Sequence, residues 1–479
     1  MPPVTPTRAI AAAVVLGAPL VLSFFSGGFF DEPRLWAGLV AWTALAALVL
    51  SGARLPRFAP ARLAIGGFAA LTVLTGLSMA WAPLGGPAQD DLQRLLVYFA
   101  AFVAGSIALS GRTGRATEPV LGLGAACVIA YGLSERLLPG VVELSHSASA
   151  HGRLEQPLTY WNAVGSLAAL GSILCLRMAA DATRPAALRA AAAAATPLLG
   201  LGLYLTFSRG SIAALCAGVL VLTVLLGGRR ELRTVYVCLA AALVAALASE
   251  LPGLEAVTDT GADGGTAAGL GMLALLSLLG AGVAAAALAW PGARGDEPLR
   301  RAPHRAATAL TVVLVAGGAV ALTASAEDYG RVDAGGAQRL GTVESNRYEY
   351  WRVAVNVFVD HPIAGHGSGS FRVDWLRERD IRERVVDAHS LYAETAAELG
   401  LLGLIALAAF LGGVGWAGIG AVRRLRAEAV GPAAVMVAWA LHAGIDWLWE
   451  MPAVTLVALA CAARLLALAE QGDRYAGTA

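Results

Sequence analysis

Lysine is absent from this chain of 479 residues, so arginine supplies all 35 of its basic side chains. Charged residues of every kind make up only 14% of the sequence, which leaves too few to cover a large soluble domain. The formal net charge of +1 gives no reason to expect nucleic-acid binding. These absences exclude most soluble classes and direct attention to the apolar part of the chain.

Cysteine is scarce and shows no CxxC or metal-finger spacing. All five cysteines fall inside apolar runs, so we expect small buried side chains rather than disulfides. The five are Cys127, Cys175, Cys216, Cys238 and Cys461. The sequence also has no Gly-x-Ser-x-Gly elbow and no Ser-His-Asp order, so nothing indicates a serine hydrolase.

Apolar runs recur along the whole chain, and 57% of its residues are hydrophobic. Fourteen runs are candidate spans, centred near residues 8–26, 35–52, 61–81, 93–110, 117–133, 160–178, 186–206, 211–228, 234–249, 266–290, 307–324, 396–420, 430–447 and 453–469. The first run shows no small-residue cleavage site, so we take it as a helix. The pattern predicts an all-α polytopic membrane protein with about 12–14 transmembrane helices.

Arginine clusters occupy every second loop, whereas the alternate loops carry acidic residues or the long segment 325–392. The positive-inside rule therefore places both termini in the cytoplasm and the long segment outside. We predict an N-terminal helix bundle at 1–324, an extracytoplasmic loop at 325–392 that bears the active site and contains amphipathic helices, and C-terminal helices at 393–479.

Arg209 lies in a tight outward turn, Phe207-Ser208-Arg209-Gly210, with almost no loop to carry its charge into water. A guanidinium at that depth needs an anionic partner, and its planar fork suits a phosphate. The alternative is an arginine that reaches the lipid headgroups or pairs with a nearby carboxylate.

The long segment contains a predicted helix from Arg347 to Val359. Asn346 and Glu349 are spaced as in a capping box, and one face carries apolar side chains suited to the membrane or to the helix bundle. Those side chains are Tyr348, Trp351, Val355 and Phe358. Arg347 at the helix start is well placed for a phosphate, although an ordinary surface helix explains the pattern equally well.

Asp360-His361-Pro362 ends this helix, and the glycines of Gly365–Ser370 indicate a turn with positive φ. A phosphate nest there would have neither the P-loop lysine nor a preceding strand, so we do not expect nucleotide binding. A zinc site formed by His361, His366, His389 and Asp387 fits no compact ligand motif, and we expect no metal.

His389 stands where the polar segment re-enters an apolar helix, so its imidazole can reach water, headgroups and a bound substrate together. The helix after it carries a stripe of small residues that favours close packing: Ala393, Ala396, Gly400 and Gly403. A lone histidine is more often structural, but here it shares one membrane surface with outward arginines.

Together these residues resemble the signature region of the O-antigen ligase family of bacterial membrane glycosyltransferases. The resemblance rests on Arg347-x3-Trp351, on His361-Pro362-x2-Gly365-x-Gly367-x-Gly369-x-Phe371, on His389-Ser390-x9-Gly400-x2-Gly403, and on the upstream pieces Gly152-Arg153-Leu154, Asn162-Ala163 and Ser208-Arg209-Gly210.

The resemblance implies transfer of a glycan from undecaprenyl pyrophosphate to an acceptor on the outer side of the cytoplasmic membrane. His389 would activate or orient the acceptor hydroxyl, and Arg209 and Arg347 would hold the pyrophosphate. Arg153, Asn162 and Arg352 are expected to support the site. Neither a metal nor another cofactor is implied, and membrane lipids surround the enzyme.

The family commonly has about twelve spans, so we predict two additional spans in this chain, between Arg209 and residue 325. The acceptor stays open as a glycan, a lipid or a protein, since polymerases and protein O-oligosaccharyltransferases share this layout. Two other classes are a transporter or flippase, which would place ionisable residues near mid-membrane, and a non-catalytic envelope scaffold. The pair His442 and Asp446 is either structural or a support for the outer site.

Overall fold

The computed structural model describes residues 4–258, 265–289 and 346–476, with side chains as far as residue 471. The predicted run 307–324 and the first part of the predicted loop, 325–345, lie outside these ranges. The predicted boundary between the first two domains falls there too.

Regular structure in the described part of the chain is α-helical and follows the order of the predicted runs. The helices are α1 (Pro6–Ser23), α2 (Asp31–Leu50), α3 (Ala59–Ser78), α4 (Gly85–Ala108), α5 (Gly111–Gly114), α6 (Thr117–Leu137), α7 (Trp161–Ala180), α8 (Ala186–Leu205), α9 (Arg209–Leu225), α10 (Arg229–Ala248), α11 (Gly265–Ala289), α12 (Arg347–Asp360), α13 (Phe371–Glu378), α14 (Leu391–Arg424), α15 (Arg426–Ala443) and α16 (Pro452–Ala476).

Eleven helical segments in these ranges are long and apolar enough to cross a membrane, with α5 and α6 counted as one. Helix α9 is apolar but shorter, at 17 residues. Each predicted run inside the described residues corresponds to one of the helices. The chain is therefore an all-α polytopic membrane protein, as predicted.

Helices α7 and α16 form the centre of the bundle, and the apolar stretch of each helix is 100% buried inside the protein. Small residues let the surrounding helices approach closely. An ideal Cβ on Gly171 of α7 would lie 2.6 Å from the Cβ of Ala125, and one on Gly280 of α11 would lie 3.1 Å from the carbonyl oxygen of Ala194. The Ala-rich stretch 185–195 therefore packs closely on α11.

The cysteines are all free, and three of them, Cys175, Cys238 and Cys461, are buried as predicted. Cys216 is half-buried and Cys127 is exposed, so the prediction of burial is wrong for Cys127. Only 50% of the apolar stretch that contains α6 is buried inside the protein. A residue of an apolar span can therefore face outward to lipid. Burial inside the protein does not follow from an apolar run alone.

Helix α12 is amphipathic, but the predicted apolar face is not the one that packs on the helix bundle, which leaves the membrane as the predicted partner of that face. Its buried residues are Tyr350, Val353, Ala354 and Val357. Two residues of the predicted apolar face, Tyr348 and Val355, are 41% and 57% exposed, so that face points away from the bundle. The predicted capping box is also wrong, because the Asn346 amide donates to Glu383 (2.6 Å) while Glu349 pairs with Arg352.

Helix α14 bends at Gly400, where φ is +62° and ψ is −156°. The bend removes helical hydrogen-bond partners, and the turn before α13 replaces them. Four backbone bonds make the replacement: Leu401 N–H to Pro362 O (2.8 Å), Leu402 N–H to Ile363 O (3.1 Å), His366 N–H to Ala397 O (3.0 Å) and Gly367 N–H to Glu398 O (2.9 Å). The turn before α13 is therefore bonded to the membrane helix α14.

We expect Gly400→Ala to lower the thermal unfolding midpoint of the purified protein in detergent. Its backbone angles belong to a region that only glycine adopts readily, and forcing another residue there costs about 1–3 kcal/mol. A Cβ at this position would also lie 2.5 Å from the carbonyl oxygen of Ile363.

Gly412→Ala on the same helix is the matched control, because an ideal Cβ there meets no atom within 4 Å. Alanine is the better helix former by about 1 kcal/mol, so this variant should be as stable as the wild type or more so. Equal midpoints for the two variants would show that the bend at Gly400 is not required for stability.

Candidate active site

His389 is the last loop residue but one before α14, and its backbone has a left-handed φ of +52°. Ser390 caps the helix by accepting the N–H of Ala393 (3.3 Å). His389 Nδ1 lies 3.1 Å from the carbonyl oxygen of Asp387, which can only accept, so Nδ1 carries the proton in this arrangement. The lone pair then resides on Nε2, which is the form that a general base requires.

Aromatic rings from two other parts of the chain flank this imidazole. The ring of Tyr350 on α12 is centred 5.3 Å away, and that of Trp447, in the connection between α15 and α16, is centred 5.8 Å away. The backbone N–H of Ala388 donates to the Glu394 carboxylate (3.0 Å), which attaches the residue before His389 to the first turn of α14. His389 is thus held from three directions and stays partly exposed.

Arg347, the first residue of α12, forms an ion pair with Asp446 beyond the end of α15. Arg347 Nη2 lies 3.2 Å from Asp446 Oδ2, and the exposed fractions of the two side chains are 26% and 1%. Burial alone would raise the pKa of Asp446, but the positive charge of Arg347, with His442 and His389 nearby, holds that pKa well below its usual value. The carboxylate is therefore ionised and orients the guanidinium.

Asp446 also joins this pair to the start of α7. The Tyr160 hydroxyl donates to Asp446 Oδ1 (2.7 Å), and the Asn162 amide donates to the Tyr160 oxygen (2.8 Å). Burial, followed by the Asp446 charge, raises the pKa of Tyr160 well above its usual value, so the phenol keeps the proton that it donates. Asn162 is therefore connected to Arg347 through two hydrogen bonds and one ion pair.

Arg209 begins α9, directly after the capping residue Ser208. The next residue, Gly210, packs against the ring of His442, because a Cβ there would lie 2.5 Å from His442 Nε2. His442 in turn lies 3.6 Å from Asp446 Oδ2. The structure thus brings the N-terminus of α9, with its positive helix dipole, to the same cluster as Arg347 and His389.

The two further arginines occupy different surroundings. The guanidinium of Arg153 lies 3.5 Å above the ring of Trp161 and donates to the carbonyl of Ala150 (2.7 Å), so it braces the loop before α7. Arg352 pairs with Glu349 and with Asp380 (3.1 Å) on the outer side of α12. A supporting role for either residue stays a prediction, and the geometry favours Arg153, since Trp161 adjoins Tyr160.

The sequence did not indicate Tyr160 and Trp447 as site residues, and it indicated Asp446 only as the partner of His442, in a pair that is either structural or a support for the outer site. A signal existed for Asp446, since a carboxylate directly after an apolar span needs a partner, but the sequence offered only His442 one turn earlier. The structure adds Arg347 as that partner.

The histidines of the glycine-containing turn do not join His389. His366 Nδ1 lies 2.9 Å from Asp374, and its ring stacks on that of His361 at 4.7 Å. Among the described residues, no group of three or more histidine, cysteine or acidic side chains is arranged to hold a metal ion. Gly367 packs on the backbone of Ala82, where a Cβ would lie 2.5 Å from the Cα, so protein fills the turn that a phosphate nest would use.

A family model described as O-Antigen ligase matches residues 264–408. This chain carries an O-antigen ligase domain. The family resemblance seen in the sequence motifs is thereby confirmed. The matched residues include Arg347, His389 and the bend at Gly400, whereas Arg209 and Asp446 lie outside them, and Asp446 pairs with Arg347. No curated protein matches the chain.

Proposed function

We propose that this protein is a membrane glycosyltransferase of the O-antigen ligase type, which moves a glycan from undecaprenyl pyrophosphate to an acceptor. The observation that supports this most strongly is the meeting of His389, Arg347 and the N-terminus of α9 around Asp446. A base and two guanidiniums at one end of a membrane bundle suit a reaction between a hydroxyl and a lipid-linked pyrophosphate.

In the proposed reaction, Nε2 of His389 takes the proton of an acceptor hydroxyl while that oxygen bonds to the anomeric carbon of the donor sugar. The bond between that carbon and the pyrophosphate oxygen breaks, and the pyrophosphate leaves with the electron pair. Arg347 and Arg209 stabilise the charge that develops on the leaving group. The guanidiniums supply the positive charge, so we propose that the transfer needs no metal.

Asp446 is proposed to keep Arg347 in place before the donor binds. Arg347 pairs with Asp446 through Nη2 and remains partly exposed, and a planar guanidinium can contact a phosphate beside a carboxylate. The aromatic rings of Tyr350 and Trp447 beside His389 offer flat surfaces on which a sugar can stack.

We propose that the site lies on the extracytoplasmic face of the cytoplasmic membrane, with both termini in the cytoplasm. The distribution of arginines along the chain supports this orientation. At the end of α7 away from Tyr160, the connections α7–α8 and α9–α10 and the helix turns beside them contain two arginine clusters, Arg177, Arg184 and Arg189 and then Arg229, Arg230 and Arg233. The positive-inside rule assigns that end to the cytoplasm.

The test is reconstitution of the full chain in liposomes with a radiolabelled glycan on undecaprenyl pyrophosphate and, in parallel, a glycan, a lipid or a peptide acceptor. We expect labelled product and free undecaprenyl pyrophosphate in equal amounts, unchanged by a metal chelator. A flippase would move the glycan across the bilayer still attached to its lipid, and a scaffold would do neither. Either result would refute the proposed reaction.

We expect Arg209→Ala and Arg347→Ala each to weaken binding of undecaprenyl pyrophosphate by about 10- to 100-fold. The reason is that one hydrogen bond to a charged group contributes roughly 1.5–3 kcal/mol. Arg377→Ala is the control, since Arg377 is an exposed arginine of α13 that is not assigned to the site, and this variant should bind as the wild type does. Binding is measured by titration of the purified proteins in detergent.

Arg347→Ala also leaves Asp446 buried without its partner, so the double variant Arg347→Ala/Asp446→Asn is measured beside it. If weak binding reflects misfolding alone, the double variant should recover it. Wild-type affinity in both single variants would show that Arg209 and Arg347 do not bind the pyrophosphate.

A further inference from the structure

Arg230, in the first turn of α10, is a buried guanidinium at the end of the bundle remote from His389. The residue is only 8% exposed. Among the residues that the structure describes, none is a hydrogen-bond partner of its three guanidinium nitrogens. Because α7 has 20 residues, the end where Arg230 lies is about 30 Å from Tyr160 along the helix axis.

A second buried guanidinium adds to the positive charge there. Arg189 of α8 is also 8% exposed, and it donates only to backbone carbonyls, those of Ala179 on α7 and Ala287 on α11. These contacts place it among the ends of three membrane helices. The helix dipole of α10 points its positive end at the same place.

The carboxylates nearby are engaged elsewhere. Glu231 accepts from the N–H groups of Gly227 and Gly228 at 3.3 and 3.1 Å, and so caps α10. Asp181 lies 3.5 Å from Arg177 and 3.6 Å from Arg184. Within the described residues, Arg230 therefore has no carboxylate at ion-pairing distance, and an uncompensated charge at such a position costs several kcal/mol.

We propose that Arg230, together with Arg189, binds the phosphate group of an anionic phospholipid headgroup between the ends of α8, α10 and α11. A planar guanidinium with all of its N–H groups unused matches phosphate oxygens in bidentate fashion. A lipid fits better than a soluble anion because Leu288, next to Ala287, is 42% exposed and offers apolar surface for an acyl chain. This site is separate from the proposed transfer site.

The test is thermal unfolding of the purified full chain in detergent, titrated with phosphatidylglycerol, with phosphatidylcholine or with inorganic phosphate. Phosphatidylglycerol should raise the wild-type midpoint by about 5 °C at saturation, whereas phosphatidylcholine should not. Arg230→Met should abolish this shift. The matched control is Arg229→Met, an exposed arginine on the same helix turn, which should retain the shift.

In phosphatidylcholine alone, Arg230→Met should be as stable as the wild type or more stable, because it removes an unpaired buried charge while keeping much of the volume. A clear loss of stability there would assign Arg230 a packing role and overturn the proposal. A phosphatidylglycerol shift that persists in Arg230→Met would overturn it too. If inorganic phosphate reproduces the shift, the ligand is a soluble phosphate and the lipid assignment is wrong.

Discussion

His389→Ala is expected to lower the amount of transferred glycan at the cell surface by at least about 100-fold, while the lipid-linked precursor accumulates. Removal of a general base costs a typical factor of 10² to 10⁴ in rate. The Nδ1 bond to the Asp387 carbonyl leaves Nε2 as the acceptor, and methyl in place of imidazole provides no substitute. The measurement compares polymer and precursor in cells that contain equal amounts of membrane-inserted wild type and variant.

His361→Ala is the matched control for this experiment. His361 is an exposed histidine in the same part of the chain, and its ring stacks on His366 rather than on the rings that flank His389. It should therefore leave polymer and precursor at wild-type amounts. Unchanged polymer in His389→Ala would refute transfer chemistry at this residue and would favour transport or a scaffold.

The order and number of membrane helices within the described residues could be predicted from sequence, because an apolar run that crosses a bilayer has to be helical. The bend of α14 could not. Small residues at Gly400 and Gly403 indicated close packing, yet nothing in their spacing indicates that the turn at Pro362–Gly367 supplies backbone bonds to the bend. Such long-range bonds leave no periodic signal.

The candidate site was partly predictable for the same kind of reason. Helix starts and span ends located Arg209, Arg347 and His389 at one end of the bundle. The pairing of Arg347 with Asp446 joins residues far apart in sequence and needs the tertiary structure. The orientation of Arg352 could be predicted, because five residues along a helix correspond to a rotation of about 140°, which turns Arg352 away from the face of Arg347.

The capping-box prediction failed because other side chains compete for Asn346 and Glu349. Asn346 and Glu349 have the required spacing, but each finds a stronger charged or amide partner outside the first turn of α12, in Glu383 and Arg352. A local motif states what a side chain can do within its own turn. The loop residues that fold back on α12 determine what it does.

Arg94→Met is expected to lower the free energy of unfolding by about 3–5 kcal/mol, which is typical when one member of a buried ion pair is removed. Arg94 of α4 is 7% exposed and contacts Asp91 (2.7 Å) and Glu450 (3.0 Å). These groups line a cavity of about 40 Å³ together with Glu394 and Glu398, so acidic side chains outnumber the arginine. Without Arg94, Asp91 loses its ion-pair partner, and nothing offsets the charge of the glutamates when they ionise.

The loss of stability caused by Arg94→Met should be larger at high pH than at low pH. Burial raises the pKa of Glu450 to about 8, and Arg94 acts against that rise. A carboxyl group whose pKa is higher in the folded state than in the unfolded state reduces stability as pH increases from about 4.3 to the folded pKa. Removal of Arg94 raises the folded pKa further. Chemical unfolding in mixed micelles should therefore show a larger difference from wild type at pH 9 than at pH 5.5.

Two variants separate this cause from general damage to the core. Arg94→Met/Glu450→Gln removes both members of one pair and should recover part of the lost stability, because the second substitution eliminates a charge left without a partner. Arg115→Met breaks a surface pair with Glu428, in which the Arg115 side chain is 64% exposed, and should change stability by less than about 1 kcal/mol. If Arg94→Met matches Arg115→Met at both pH values, the acidic side chains around the cavity hold protons of their own and do not need Arg94 for charge compensation.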